Sequence, residues 1–431
     1  MPEDNIASIE TKLGSANEQA IFYTRGNFIK QLGLHWDPFI EPVAEHELIQ
    51  TARQPGQVHG TPLPLAYFVP PTGELGEEIL PVLRSASDAF IFGEPGMGKT
   101  SLRLALDATC RRVPDGTLTV TYLMRENIDG VHSWESHVAH LGRELAVDLF
   151  LQVLEQFTPG GKVPTEQQIQ HLGQILALGE RPLHRLAQAV VQKPIPEGIM
   201  GLAHHWHKVD RLPIRHVARS PELLALVAHA LDIANKTTKR LKGTHAWEFC
   251  LETARLWGFH QVFIFVDGVD TWHRTPEQMF NLIEPLLHQL EFWKGESIYG
   301  KFFLPLEMEH DILQFQSKYL SALPKPHVID LKWDEAGLRR LLAARFRAGK
   351  ARRVGFNDLV DLEWNADLDQ LLLDAADGSP RRLLSLISRL IDKHVEATSA
   401  DLLTQQKSVS SYNPEAFLIT EKEWQQTKAS N

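Results

Sequence analysis

A glycine-rich segment that ends in a lysine and a hydroxyl residue carries the strongest chemical signal in the sequence. Residues 93–101 read GEPGMGKTS, follow the apolar run 89–92 and precede a helical pattern. In a strand, turn and helix of this kind, backbone N–H groups converge on a phosphate chain. The residues predicted to contact nucleotide phosphates are Gly93, Pro95, Gly96, Gly98, Lys99, Thr100 and Ser101. The segment therefore predicts a phosphate-binding loop (P-loop) for a nucleoside triphosphate.

Each polar residue of the loop has an expected role. Gly96 and Gly98 permit positive φ and let a phosphate oxygen approach the backbone without meeting a Cβ. Lys99 would contact the β- and γ-phosphates, which makes it a candidate catalytic residue, and the Thr100 hydroxyl would complete a Mg²⁺ shell.

A second candidate site segment follows a continuous apolar run. Residues 261–266 read QVFIFV and end at Asp267, which is typical of a parallel strand that is buried on both faces. Asp267 would lie at the carboxyl edge of the sheet and hold Mg²⁺ through water. Asp270, three residues later, is the candidate to orient or deprotonate the attacking water, with capping of a helix near Pro276 as the alternative.

Two arginines near a helix start form the third candidate segment. Residues 378–382 read GSPRR, and Pro380 is well suited to the first turn of a helix. Arg381 and Arg382 in that turn oppose the helix dipole, and a nearby anion would offset the cost. The sequence therefore predicts that Arg381 or Arg382 touches nucleotide phosphate.

The elements that position these residues indicate an α/β fold with a parallel sheet flanked by helices. Strand patterns occur at 89–92, 118–123, 261–267, 301–306 and 327–331, whereas helical periodicity dominates between 127 and 258. It predicts helices at 134–157, 165–178, 182–192, 220–241 and 245–257, and a later helix extends over 383–395 after the GSPRR turn. We divide the chain into an N-terminal segment (1–64), the first part of a P-loop core (65–126), a helical insertion (127–258), the second part of the core (259–331), a C-terminal helical segment (332–396) and a tail (397–431).

Composition and charge restrict the partners that the protein could bind and the compartment in which it could function. The formal net charge of −10 disfavours nucleic acid and anionic membrane as partners unless charge is locally segregated. Two cysteines in 431 residues argue for a reducing compartment. The acidic first residues lack a signal-peptide pattern, and no apolar run is long enough to span a bilayer. We therefore expect a cytoplasmic protein without a membrane segment.

Three further features leave alternatives open. Tyr67, Phe68 and Val69 are candidates for an adenine pocket or an anchor to the core. Four histidines suggest either a metal site or solvated side chains, of which we favour the second: His204, His205, His207 and His216. The basic residues between 339 and 353 favour a solvated face or an intersubunit contact over nucleic-acid binding; they are Arg339, Arg340, Arg345, Arg347, Lys350, Arg352 and Arg353.

Taken together, residues 93–101, 262–270 and 378–382 resemble the motifs of STAND-type signalling ATPases, a branch of the AAA+ superfamily that is also similar to origin-recognition-type initiators. The D-G-V-D of residues 267–270 resembles the D-G-x-D-E of NACHT ATPases, with Thr271 in place of the last acid. G-S-P-R resembles the G-x-P-R of the lid domain, which implies that residues 332–396 form a helical lid, that Pro380 lies near the nucleotide base and that Arg381 acts as the second sensor. The resemblance implies ATP and Mg²⁺ as cofactors and slow hydrolysis.

The resemblance predicts a switch or assembly ATPase that forms homo-oligomers and controls an effector or sensor protein, for example in bacterial defence. No repeat array follows the lid motif, so we expect sensing and effector functions to belong to partners or to the helical insertion. A DNA-handling ATPase, similar to initiators or transposition regulators, is the alternative, and a small-molecule kinase ranks last because no acceptor pocket is evident.

Overall fold

The apolar runs form one sheet of five parallel strands in the computed structural model of the chain. The strands are β1 (Ala89–Gly93), β2 (Thr117–Leu123), β3 (Gln261–Asp267), β4 (Ile298–Pro305) and β5 (His327–Asp330). Their spatial order is β2-β3-β4-β1-β5. Both faces of the sheet are covered, which explains the continuous apolar runs at 89–92 in β1 and 262–266 in β3. The predicted α/β fold with a parallel sheet flanked by helices is therefore confirmed.

The structure describes residues 23–39, 68–112, 115–124, 133–178, 180–192, 220–238, 241–349, 351, 353–404 and 418–429. Several residues that the sequence singled out lie outside these ranges: Tyr67, His204, His205, His207, His216, Lys350 and Arg352. The alternatives stated for them above stay as predictions.

Helices flank the sheet on both faces. Within the described ranges the α-helices are α1 (Arg25–Gln31), α2 (Ile79–Leu83), α3 (Lys99–Arg112), α4 (Trp134–Gln156), α5 (Glu166–Leu178), α6 (Glu180–Gln192), α7 (Pro221–Lys236), α8 (Gly243–Leu256), α9 (Pro276–Leu287), α10 (Leu290–Gly295), α11 (Glu309–Tyr319), α12 (Glu335–Ala348), α13 (Leu368–Ala376), α14 (Pro380–Thr404) and α15 (Glu421–Ala429). None of the helices in this part of the chain combines the length and apolar character that crossing a bilayer requires.

Two helix boundaries differ from the sequence prediction for identifiable reasons. The helix predicted over 220–241 ends at Lys236, because Thr237 adopts an extended backbone. The helix that residues 378–382 open begins at Pro380, as the predicted first turn requires, but it continues to Thr404, beyond the predicted end at 395. The fixed φ of proline suits the first turn of a helix, and its missing N–H costs nothing there.

Helix α4, in the helical region between β2 and β3, covers the outer edge of β2. The buried Gln152 side chain accepts a hydrogen bond from the Thr119 N–H at 3.2 Å and donates to the Thr119 carbonyl at 2.7 Å. One turn earlier, Asp148 accepts from the Thr121 N–H at 2.8 Å. An edge strand otherwise presents unpaired backbone groups. Side chains of α4 therefore replace a sixth strand at this edge.

Replacing Gln152 with Leu should lower the free energy of unfolding by about 2–4 kcal/mol, because both buried backbone groups of Thr119 would lose their partner. Urea denaturation measures the change. Gln156→Leu, the same substitution at a partly exposed position of α4, is the matched control and should stay within about 0.5 kcal/mol of wild type. Equal effects of the two substitutions would show that the Thr119 backbone groups at the edge of β2 have other hydrogen-bond partners.

Lys301 and Asp88 form a charge pair at the amino ends of the strands, whereas the P-loop lies at their carboxyl ends. The Lys301 Nζ donates to the Ser85 carbonyl at 3.0 Å and lies 4.7 Å from the centre of the Phe263 ring. Asp88 accepts from the Gly300 N–H at 2.8 Å. Burial lowers the pKa of Lys301 to about 8 and raises the pKa of Asp88 to about 6. The contacts join the start of β1 to the start of β4.

The C-terminal helices α12, α13 and α14, which we call the C-terminal helical unit, have their own apolar core. Segment 23–39 packs into that core through Phe28 and Phe39. Arg25 extends from α1 to Asp37 at 2.5 Å and to Asp392 of α14 at 2.7 Å. Helix α15 joins the same core through Trp424. Segments near both ends of the sequence are thus packed against this unit.

Candidate functional site

The loop between β1 and α3 has the backbone conformation that its glycines predict. The φ angles of Gly96 and Gly98 are +93° and +91°, in a region that residues with a Cβ rarely occupy. Helix α3 then begins at Lys99, so its first N–H groups face the loop. The prediction of positive φ at these two glycines is confirmed.

Lys99 is held inside the loop by backbone oxygens and by an acid. Its Nζ donates to the Gly93 carbonyl at 2.7 Å and lies 3.4 Å from the Asp270 Oδ2. The Lys99 side chain is 8% exposed and that of Asp270 is 29% exposed. The fold therefore brings together the lysine and the second acid, which are far apart in the sequence.

Thr100 and Asp267, the two residues predicted to serve a metal, are in direct contact. The Thr100 Oγ1 donates to the Asp267 Oδ2 at 3.0 Å, and the other carboxylate oxygen accepts from the Gly268 N–H at 2.8 Å. Mg²⁺ prefers hydroxyl, carboxylate and water oxygens in this kind of site. The residues present therefore fit a Mg²⁺ ion that a nucleotide would bring.

Asp270 does not cap the helix that follows it. Helix α9 begins at Pro276 and is capped by Thr275, which forms a reciprocal capping box with Gln278. The short 3₁₀ turn directly after Asp270, Thr271–His273, receives no side-chain hydrogen bond from Asp270. The alternative that the sequence left open, a capping role at Pro276, is therefore excluded, and the carboxylate is oriented toward Lys99.

The loop, the two acids and the C-terminal helical unit line one cavity of about 880 Å³. The Arg381 N–H, at the start of α14, donates to the Gly96 carbonyl of the loop at 3.3 Å. A Cβ built on Gly96 would lie 3.0 Å from the Arg381 Cβ, so a larger residue would require its neighbours to shift. Pro380 and Arg381 line the cavity, whereas Arg382 does not. Of the two predicted arginines, the structure thus places Arg381 beside the loop.

Apolar and aromatic side chains form part of the cavity lining. Phe68 and Val69 both line the cavity, and Val69 also packs against Leu341 and Ala344 of α12. The Trp333 indole N–H donates to the Met97 carbonyl at 2.9 Å. An apolar pocket next to a few converging polar groups is typical of a small-ligand site. Phe68 and Val69 therefore line the cavity and are also packed against apolar clusters, as the anchor alternative predicts. Contact of either residue with an adenine base stays a prediction.

Arg103 and Arg345 belong to the site, but the sequence interpretation missed the first and misplaced the second. Arg103 donates to Asp267 at 2.8 Å from a side chain that is only 2% exposed. Arg345 lines the cavity and donates to the Pro38 carbonyl at 3.0 Å. The signal that could have revealed both is a cation on the apolar face of an amphipathic helix.

This placement corrects the prediction of a solvated basic face at one described residue, Arg345, which is buried. Arg339, Arg340 and Arg347 are exposed, as a solvated face requires, and Arg339 also donates to Glu335 and Gln370 at 3.1 Å and 2.6 Å. Helix α12 turns these cations in different directions because successive residues lie about 100° apart around a helix axis.

Comparison of the chain with models of protein families, with curated proteins and with solved structures gave no match. The function must therefore be inferred from the residues of the cavity.

Proposed function

We propose that the chain is a nucleotide-dependent switch or assembly ATPase, similar to STAND-type members of the AAA+ superfamily. The observation that carries the proposal is the convergence of the P-loop, two acids and a helix of the C-terminal helical unit on one cavity. ATP would bind with its phosphates on the loop and its base toward Phe68, Val69 and Trp333. The triphosphate would then bridge the sheet and the C-terminal helical unit.

The residues have separate roles in this proposal. Lys99 and the N–H groups of the loop bind the β- and γ-phosphates, and Thr100 and Asp267 hold Mg²⁺. The ion supplies charge neutralisation at the phosphate oxygens. Asp270 orients the attacking water and accepts its proton. Hydrolysis is slow, since the position of the last acid in NACHT ATPases is Thr271, which donates instead to the Met124 and Gly268 carbonyls.

The nucleotide state would control a cytoplasmic homo-oligomer and, through it, a partner protein. Calorimetric titration with ATP and ADP tests binding, and light scattering with ATP and Mg²⁺, with ADP and without nucleotide tests assembly. Binding without any change in size would reject the assembly role and keep the nucleotide site. A DNA-anisotropy titration at low salt tests the alternative function, for which Arg339, Arg340 and Arg347 are exposed candidates on α12.

Arg381→Ala should weaken ATP binding by about tenfold and leave ADP binding nearly unchanged, because only ATP offers a γ-phosphate to the guanidinium. Affinities of both nucleotides are measured by calorimetry. Arg382→Ala is the matched control, since it removes the same charge one residue further along α14 and outside the cavity lining. Equal losses for ATP and ADP would mean that Arg381 supports the helix start and does not sense the terminal phosphate.

A further inference from the structure

The carboxylate of Asp267 already has a cationic partner, Arg103. The Arg103 Nε donates at 2.8 Å to the same oxygen, Oδ2, that accepts from Thr100 at 3.0 Å. The two charged side chains are 2% and 5% exposed. Because both side chains are almost completely buried, water and salt screen their electrostatic interaction only weakly. The acid that would serve Mg²⁺ is therefore neutralised by a residue of the chain itself.

The helix geometry fixes this arrangement. Arg103 follows Lys99 by four residues on α3, so both side chains lie on the same face of the helix. Lys99 extends toward the P-loop, where its Nζ contacts the Gly93 carbonyl. Arg103 extends toward Asp267, which lies 164 residues further along the chain. A fixed positive charge at this position opposes a divalent cation held by Thr100 and Asp267.

We propose that Arg103 is a positioning residue that acts as a built-in counter-charge for Asp267 and reduces the dependence of nucleotide binding on Mg²⁺. Arg103 keeps the Asp267 carboxylate aligned with Thr100 when no metal is bound. It also reduces the increase in nucleotide affinity that Mg²⁺ binding provides. The inference rests on the proposed nucleotide site. Its consequence is a switch that retains nucleotide when free Mg²⁺ is scarce.

The test compares ADP affinity in EDTA with ADP affinity in saturating Mg²⁺, by calorimetry, for wild type and variants. ADP is used because no hydrolysis intervenes. In Arg103→Met the gain in affinity from Mg²⁺ should be about tenfold larger than in wild type, because the opposing charge beside the metal site is gone. Arg103→Lys keeps the charge and should behave like wild type.

Arg111→Met is the matched control for loss of a buried arginine. Arg111 lies on the same helix and is paired with Glu155, with side chains that are 3% and 2% exposed, but it is far from the P-loop. This change should lower stability and leave the Mg²⁺ gain unchanged. If Arg103→Met does not fold, Arg103→Gln, which retains a hydrogen-bond donor without charge, should show the same enlarged gain.

The outcomes separate this inference from the proposed function. An enlarged gain in Arg103→Met or Arg103→Gln, with none in Arg111→Met, supports the counter-charge role. The same gain in the Arg103 variants as in wild type, with ADP still bound, would overturn the inference alone. Failure of wild type to bind ADP with or without Mg²⁺ would remove the proposed nucleotide site and the inference with it.

Discussion

Lys99→Ala is expected to weaken ATP binding by about ten- to a hundredfold, because one charge-assisted contact to the phosphates is lost while the N–H groups of the loop remain. The Nζ lies 2.7 Å from the Gly93 carbonyl at the base of the loop, so the charge is close to the predicted phosphate position without being part of the core. Calorimetric titration of ATP in Mg²⁺ measures the change, and the melting temperature without nucleotide reports on folding.

Lys332→Ala is the control for the loss of one positive charge near the site. Its side chain is 75% exposed and lies 3.7 Å from Asp330 at the end of β5. An exposed pair of this kind contributes little to stability, and ATP affinity should stay close to the wild-type value. Unchanged ATP affinity in Lys99→Ala would remove Lys99 from the site and would count strongly against the nucleotide proposal.

Asp270→Asn is expected to retain ATP but to slow its cleavage by about a hundredfold or more, as is typical for loss of a general base. The substitution preserves the size of the side chain and removes its negative charge, so water is no longer deprotonated. Single-turnover cleavage of radiolabelled ATP measures the rate, and ATP affinity is determined in parallel because the nearby Lys99 also loses its acidic neighbour.

Glu307→Gln is the comparison for Asp270→Asn. Glu307 follows β4, lines the same cavity and is exposed, so it is another carboxylate in the lining that could serve the water. We expect wild-type cleavage in this variant. The opposite pattern, normal cleavage in Asp270→Asn and slow cleavage in Glu307→Gln, would assign the base to the tip of β4.

Asp267→Asn is a less direct test of metal binding than the sequence alone suggests. The substitution removes the carboxylate partner of the buried Arg103 as well as a metal-site acid. Breaking a buried pair by changing one member costs about 3–5 kcal/mol. A loss of nucleotide binding in this variant therefore has to be separated from a loss of folding by measuring its melting temperature.

Local rules decided most of the fold. The runs at 89–92 and 261–267 are short, continuous and apolar, which is typical of strands buried on both faces of a sheet. Helical periodicity identified α4, α5, α6 and α8 to within a few residues. The positive φ of Gly96 and Gly98 also followed from the sequence, because the loop conformation depends on the absence of a Cβ. These features are determined by residues close together in the chain.

Contacts between distant segments were decided by the tertiary structure. The sequence gives no spacing from which to infer that Arg103 meets Asp267, that Arg345 turns inward to Pro38, or that Asp270 approaches Lys99. Each contact depends on strand order, since β4 separates β1 from β3, and on which side of a helix faces the sheet. By itself the sequence determined the conformation of the glycine-rich loop, the acids that follow β3 and the strands. Only packing determined the partner of each charge, because pairing energies act through space between residues that lie more than a hundred positions apart in the sequence.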